Sequence, residues 1–189
     1  MKQAKVLTTE EIKRVMATIA QSRHSDRNRL VFQLSLLAGM RACEIASLQI
    51  GSVIDANDKP KSEINLTAFM TKGHSSRTVV VSDKLQKEIA SYIATLTSVD
   101  LTKPLIASQK SGKHFSANTI VQMFMSIYAD AGVDGGSSHS GRRSFITTLA
   151  DKGVSVKVLQ HLAGHRSVQT TMRYIDLNDN LLKSAVNLM

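Results

Sequence analysis

Residues 139–174, HSGRRSFITTLADKGVSVKVLQHLAGHRSVQTTMRY, contain the pattern that decides how the rest of the chain is interpreted. His139 and Arg142 are three residues apart, about one turn of a helix, so both side chains can face one point. A guanidinium group offers a planar fork of N–H donors that suits phosphate oxygens. Gly164-His165 follows, and Tyr174 comes nine residues after His165. The stretch therefore combines anion-binding groups with a phenol.

The charge balance favours a polyanionic partner. The chain has 24 Lys and Arg against 15 Asp and Glu, a formal net charge of +9, and such an excess favours polyanions through counterion release. The excess by itself fits a merely basic protein equally well. The distribution of the charges favours a polyanionic partner, because the segment between Gly135 and Ile175 contains six Arg or Lys residues and one acid, Asp151. We expect one strongly positive surface there.

Composition predicts one domain over residues 1–189. Hydrophobic residues make up 42% of the chain, enough for a substantial core, and a single cysteine, Cys43, excludes a disulfide framework and fits a reducing cytoplasm. No stretch approaches the roughly 18 apolar residues of a membrane span, and Met1–Lys5 lacks the apolar core of a signal peptide. We expect a soluble, cytoplasmic protein.

Periodicity predicts a mainly α domain with a small antiparallel β-sheet, the α+β class. Thr8 and Glu11 form a capping-box pattern for a first helix that runs to about Ala20. Residues 22–29 are polar and predict a loop, and Gly39 would end a buried helix over 30–37. Strands are predicted at 64–69 and 78–81, joined as a hairpin. Further helices are predicted at 42–48, 83–95, 116–131, 140–152, 155–163, 168–174 and 178–188.

Two upstream motifs complete the pattern. Residues 39–45, GMRACEI, place Arg41 and Glu44 after a glycine and a hydrophobic residue. Residues 71–79, TKGHSSRTV, place Lys72 in the predicted hairpin. The ordered set Arg41, Lys72, His139-x-x-Arg142, His165 and Tyr174 is similar to the catalytic signature of the tyrosine recombinases, or phage integrases. The resemblance spans residues 39–174 and implies the catalytic-domain fold of that family.

The resemblance implies a role for each residue. Arg41 and Arg142 would stabilise negative charge on a DNA phosphate, each donor supplying about 3 kcal/mol in comparable sites. Tyr174 would attack phosphorus and form a 3′-phosphotyrosyl bond, and Lys72 would donate a proton to the departing 5′ oxygen. His139 and His165 would hydrogen-bond or handle protons, and Glu44 would orient a cation. Double-stranded DNA would be contacted by Arg77, Arg143, Arg166 and Arg173.

The resemblance also implies partners and an arrangement. No cofactor, metal or ATP is expected, and no membrane partner. The protein would act as a tetramer on DNA and be monomeric when free, and the tail at 181–189 would either dock on a neighbour or cover its own core. We expect the family's N-terminal DNA-clamping domain to be absent, as in the short fimbrial phase-switch invertases. An accessory clamp or DNA-bending protein could replace it, in a bacterial or phage mobile element acting at the nucleoid.

Departures and alternatives remain open. Ser140-Gly141 stands where many relatives have Leu before the arginine, and Arg143 where many have His. The first alternative is a DNA-binding accessory or regulatory module of the same fold without recombination activity. The second is a type IB topoisomerase-like relaxing activity. His161 and His165 have the spacing of a zinc motif, but Leu162 stands where such a motif needs Glu.

Overall fold

Hydroxyl side chains mark the starts of several helices. The computed structural model describes residues 3–71, 75–109, 111–175 and 186–187. Helix α1 (Thr9–Ala20) begins with the predicted capping box, in which the Glu11 N–H donates to Thr8 Oγ1 and the Thr8 N–H donates to Glu11 Oε2. Serines cap several further helices by accepting a backbone N–H in the first turn. Among them are Ser82 for α5 (Asp83–Ile93), Ser116 for α6 (Ala117–Asp130) and Ser155 for α8 (Val156–Ala163).

Helix α2 (Ser25–Ala38) forms the centre of the core. Leu30, Val31, Phe32 and Leu34 are buried, and Gly39 ends the helix in the left-handed conformation at φ 61°. The predicted start at residue 30 is wrong, because residues 25–29 are helical as well. Their polar side chains find partners: Asn28 Nδ2 donates to Ser22 Oγ at 3.1 Å, and Arg29 pairs with Glu88 of α5. Polarity indicated a loop where the structure has the first turn of a helix.

The small sheet is a two-stranded antiparallel hairpin. Strand β1 (Glu63–Leu66) pairs with β2 (Arg77–Val80), with Glu63 opposite Val80 and Leu66 opposite Arg77. Burial alternates along β1, as expected for a strand with one face on the core. The prediction of strand up to residue 69 is wrong, because residues 68–70 form a turn of 3-10 helix.

The remaining helices bring the two ends of the chain together. They are α3 (Ala42–Ala46), α4 (Ile50–Val53), α7 (Ser140–Asp151) and α9 (Val168–Met172). Helix α2 packs against α7 and α5, α3 packs against α6, and α8 packs against α9. The mainly helical fold class with a small antiparallel sheet is confirmed. The predicted helix at 178–188 and the tail lie almost entirely outside the described residues.

In the described part of the chain, no helix has both the length and the apolar character needed to cross a bilayer.

Helices α2 and α7 approach closely at Gly141, and this contact predicts a stability effect. A Cβ at position 141 would lie 2.6 Å from Ser35 Oγ and 3.1 Å from Ser35 Cβ. We expect Gly141→Ala to lower the free energy of unfolding by about 1–2 kcal/mol, because overpacking outweighs the higher helix propensity of alanine. Urea denaturation measures the change. Ser35→Ala makes room, so the double variant should lose less than the sum of the two single losses; strictly additive losses would contradict the contact.

Candidate active site

The first turn of α3 holds Arg41 against Glu44. Arg41 is the N-cap residue of this helix and Glu44 is its third residue. The Arg41 backbone N–H donates to Glu44 Oε2 at 2.8 Å, and Arg41 Nη1 donates to Glu44 Oε1 at 2.8 Å. The carboxylate therefore holds both the backbone and the guanidinium of Arg41, as the predicted orienting role of Glu44 requires.

Arg77 on β2 holds the same carboxylate from the other side. Its Nε donates to Glu44 Oε1 at 3.0 Å, its Nη2 donates to Glu44 Oε2 at 2.8 Å, and its Nη1 donates to the Leu162 carbonyl at 3.0 Å. The Glu44 side chain is 0% exposed and that of Arg77 is 9% exposed. The sequence predicted that Arg77 contacts DNA, whereas its guanidinium is directed into the protein.

The charge of Glu44 is maintained by these arginines. Burial, the largest single influence, raises the pKa of this carboxyl, but the hydrogen bonds and charges of Arg77 and Arg41 outweigh it and leave the pKa below its usual range. Each carboxylate oxygen accepts two N–H groups. Glu44 is therefore an ionised, fully hydrogen-bonded group at neutral pH.

Arg142 joins the ends of two helices. It lies in the first turn of α7 and is 3% exposed. Its Nη1 donates to the Gly39 carbonyl at the end of α2, and its Nη2 donates to the Ala163 carbonyl at the end of α8. Carbonyls at helix C-termini lack intrahelical donors, so a cation is stabilising there.

Burial and the nearby Arg41 and Arg77 lower the pKa of Arg142 to about 9, which leaves the group cationic at neutral pH. The guanidinium groups of Arg41, Arg77 and Arg142 thus lie near one another and near the carboxylate of Glu44. This excess of positive charge favours an anion at the site.

His165 follows the left-handed turn at Gly164, where φ is 61°. Its Nδ1 lies 3.0 Å from Oγ1 of Thr171, which is fully buried. Burial, followed by the charges of Arg142, Arg41 and Arg77, lowers the pKa of His165 to about 4. The imidazole is therefore neutral at pH 7, and Thr171 fixes its orientation.

Tyr174 stacks beside His165. The two ring centroids are 5.5 Å apart with an interplanar angle of 24°, and Arg143 Cζ lies 5.4 Å from the centroid of the phenol ring. The phenol is close enough to Arg142 that a negative charge on it raises the pKa of that guanidinium. The predicted nucleophile therefore lies among the predicted cations.

The other predicted residues differ in placement. His139 is the N-cap residue of α7, exposed and one turn before Arg142. Arg166 follows His165 and Arg173 is the C-cap residue of α9; both are exposed. Lys72 lies outside the described residues.

A cleft of about 1290 Å³ opens between the hairpin and α8. Its described lining residues include no Asp or Glu, and the basic ones are Arg41, Arg77, Lys157, His161, His165 and Arg166. The sequence did not single out Thr171, which contacts His165. The signal for Thr171 was its position one helical turn before Tyr174.

The low pKa of His165 predicts a distinctive titration. We expect its ring ¹⁵N signals to titrate with a midpoint near pH 4 in the folded protein and near pH 6.5 in urea, because burial and three arginines oppose protonation. The unfolded chain then binds more protons between these values, so this group makes stability fall as pH drops from about 6.5 to 4. A folded-state midpoint above pH 6 would contradict the geometry.

Within residues 3–71, 75–109, 111–175 and 186–187, no group of three or more His, Cys, Asp or Glu residues could hold a metal ion.

Comparison with known proteins shows which proteins this chain resembles. Tyrosine recombinase XerA of Pyrococcus furiosus is 28% identical over 182 residues, covering 96% of this chain and 60% of the relative. The crystal structure of XerA recombinase superposes with a TM-score of 0.75 at 25% identity, covering 100% of this chain and 64% of that one. The Tn1549 transposon integrase, solved in complex with transposon right end DNA, shares the fold with a TM-score of 0.73 at 15% identity, covering 100% of this chain and 67% of that one.

The chain thus spans about 60% of the length of the curated relatives that it matches. The model of the phage integrase family matches residues 5–180, nearly the whole chain. This chain belongs to the phage integrase family.

Proposed function

We propose that this chain is the catalytic domain of a site-specific recombinase, which cleaves and rejoins DNA strands through a phosphotyrosyl bond at Tyr174. The observation that carries the proposal is the convergence of Arg41, Arg142, His165 and Tyr174 beside a cleft with no acid among its described lining residues. The relatives named tyrosine recombinases, and the DNA complex of the Tn1549 integrase, support it.

Cleavage would proceed by in-line attack. Arg41, Arg142 and the neutral His165 would hydrogen-bond the non-bridging oxygens, where negative charge grows in the transition state. The Tyr174 oxygen would form a bond to phosphorus as the bond from phosphorus to the 5′ oxygen breaks. Lys72 would supply the proton that the leaving 5′ oxygen takes up, and His139 would accept the phenol proton.

Rejoining would reverse these steps. The 5′ hydroxyl of a second strand would attack the phosphotyrosyl phosphorus and release Tyr174. The covalent bond conserves the energy of the phosphodiester, so the exchange would need no ATP. Depending on the arrangement of the DNA sites, the outcome would be integration, excision or inversion.

DNA would lie along the basic cleft. Arg166 lines it, Lys157 and His161 extend it along α8, and Arg143 faces the nucleophile. Arg143, Arg166 and Arg173 are proposed backbone contacts, because they lie next to Tyr174 or His165 in space or sequence. With DNA as its substrate, the protein would act at the nucleoid.

Assembly on DNA is proposed as a tetramer from monomers that are separate when free. Val158, Val168 and Met172, on α8 and α9, are each about half exposed and offer apolar surface to a neighbouring protomer. An accessory clamp or DNA-bending protein would assist. Light scattering with and without DNA measures the protomer number.

The decisive experiment captures covalent adducts. The protein is incubated with fragmented DNA that contains nicks, which let the cleaved end diffuse away, and adducts that resist SDS are isolated. Sequencing of the attached DNA should give one recurrent site, and mass spectrometry should locate the nucleotide remnant on Tyr174. DNA binding without an adduct would favour the accessory module. Relaxation of any supercoiled plasmid, regardless of its sequence, would favour the topoisomerase-like activity.

A further inference from the structure

Arg77 has contacts that suit a different role from the DNA contact expected of it. We infer that Arg77 is a positioning residue of the cleavage site, which sets the orientation of Arg41 through Glu44 and that of His165 through the end of α8. This inference rests on the proposed function. The contacts of one side chain with two separate segments carry it.

The first path runs through the carboxylate. Arg77 contacts both oxygens of Glu44 with a two-pronged fork, which fixes the plane of the carboxylate. Each oxygen also accepts one hydrogen bond from Arg41: Oε2 accepts from the backbone N–H, and Oε1 accepts from the guanidinium. The direction in which Glu44 holds the Arg41 guanidinium therefore depends on Arg77.

The second path runs through the turn that precedes His165. The successive carbonyls of Leu162 and Ala163, at the end of α8, accept from Arg77 and Arg142 respectively. Gly164 lies directly on the Arg77 stem, since a Cβ there would overlap Arg77 Cδ. Arg77 therefore contacts the left-handed turn before His165 at two points, the Leu162 carbonyl and the Gly164 Cα.

A direct phosphate contact fits these observations less well. Nε, Nη1 and Nη2 of Arg77 each already donate to a protein acceptor, and the side chain is 9% exposed. Arg29 provides the comparison, because it makes the same two-pronged contact with Glu88 while 48% exposed. The same two-pronged contact thus occurs at the surface, between Arg29 and Glu88, and inside the site, between Arg77 and Glu44.

The test separates cleavage from binding. Arg77→Gln and Arg77→Lys are compared with the matched surface variant Arg29→Gln in single-turnover adduct formation at saturating DNA. We expect both Arg77 variants to cleave roughly 10- to 100-fold more slowly, the size of effect that a small misplacement of a catalytic group produces. Lysine keeps the charge but cannot reproduce the fork. Affinity for DNA and its salt dependence should stay as in the unmodified protein, and Arg29→Gln should match that protein throughout.

Two results would overturn the inference. A phosphate contact would weaken DNA binding and reduce the slope of log affinity against log salt by about 1, with an unchanged rate at saturation. An independent role would make the losses of Arg77→Gln and Glu44→Gln multiply in the double variant. Action through Glu44 predicts a double-variant loss well below that product.

A measurement without DNA distinguishes failure of the inference from failure of the proposed function. If the unmodified protein forms no adduct, the proposed function fails. The NMR signals of the Arg41 guanidinium and of the His165 ring still report positioning in the free protein. We expect both to shift in Arg77→Lys, which also serves if Arg77→Gln does not fold. Unmoved signals in the folded Arg77→Lys protein would overturn the inference by themselves.

Discussion

Tyr174→Phe is expected to abolish the covalent protein–DNA adduct while leaving affinity for the same DNA within about a factor of two. The substitution removes only the oxygen that would bond to phosphorus. The other described hydroxyl in contact with His165, that of Thr171, belongs to a fully buried side chain. The phenylalanine ring keeps the stack on His165 and the contact with Arg143, so the site should stay assembled. Adduct formation is followed by SDS gel on a nicked duplex carrying the mapped site.

The other two tyrosines provide matched controls for the same chemical change. Tyr92 donates its hydroxyl to the Leu105 carbonyl inside the core, and Tyr128 is buried among Phe32 and Phe124. Tyr92→Phe and Tyr128→Phe should therefore form adduct at the unmodified rate. Loss of the adduct in either of them, with retention in Tyr174→Phe, would refute the assignment of the nucleophile.

Glu44→Ala is expected to lower the free energy of unfolding by about 3–5 kcal/mol, the usual effect of removing one partner from a buried ion pair. The variant leaves the buried Arg77 guanidinium without its carboxylate and Arg41 without the group that orients it. Arg142 would then lie among like charges without the carboxylate of Glu44. Urea denaturation of the DNA-free protein measures the loss.

A surface pair serves as the control for Glu44. Glu88→Ala removes the carboxylate from the exposed pair with Arg29, which should cost about 0–1 kcal/mol. Equal losses in the two variants would contradict the role of burial.

The pH dependence of the Glu44 effect follows from the depressed pKa of this carboxyl, in which the arginine hydrogen bonds outweigh burial. Its contribution is complete above the unfolded pKa of about 4.3 and is lost as pH falls through the lower folded pKa. The stability gap between the unmodified protein and Glu44→Ala should therefore narrow below about pH 4. A gap that stayed constant down to pH 2 would show that folding does not lower the pKa of Glu44.

The elements that the sequence predicted well are those with a local chemical cause. The capping box of Thr8 and Glu11, the serine caps and the glycine at the end of α2 each follow from groups within one helical turn. The order of the motif also predicted which residues meet, and the structure brings Arg41, Arg142, His165 and Tyr174 together.

What the sequence could not predict depends on contacts between distant residues. The first turn of α2 looked like a loop because its polar residues have their partners in α5 and in the preceding turn. Arg77 looked like a DNA contact because a basic residue in a hairpin is usually exposed, and only the three-dimensional approach of Glu44 and Leu162 turns it inward. The hydrogen bond between Thr171 and His165 likewise depends on how α9 returns after the glycine turn.

The two carbonyls held by Arg142 have a consequence for biosynthesis. Gly39 and Ala163 lie far apart in the sequence, so this guanidinium finds both acceptors only after Ala163 has left the ribosome. Under the proposed function, a nascent product that stops short of Ala163 would lack the assembled cluster and could not cleave DNA. Strand cleavage would then depend on synthesis through this segment.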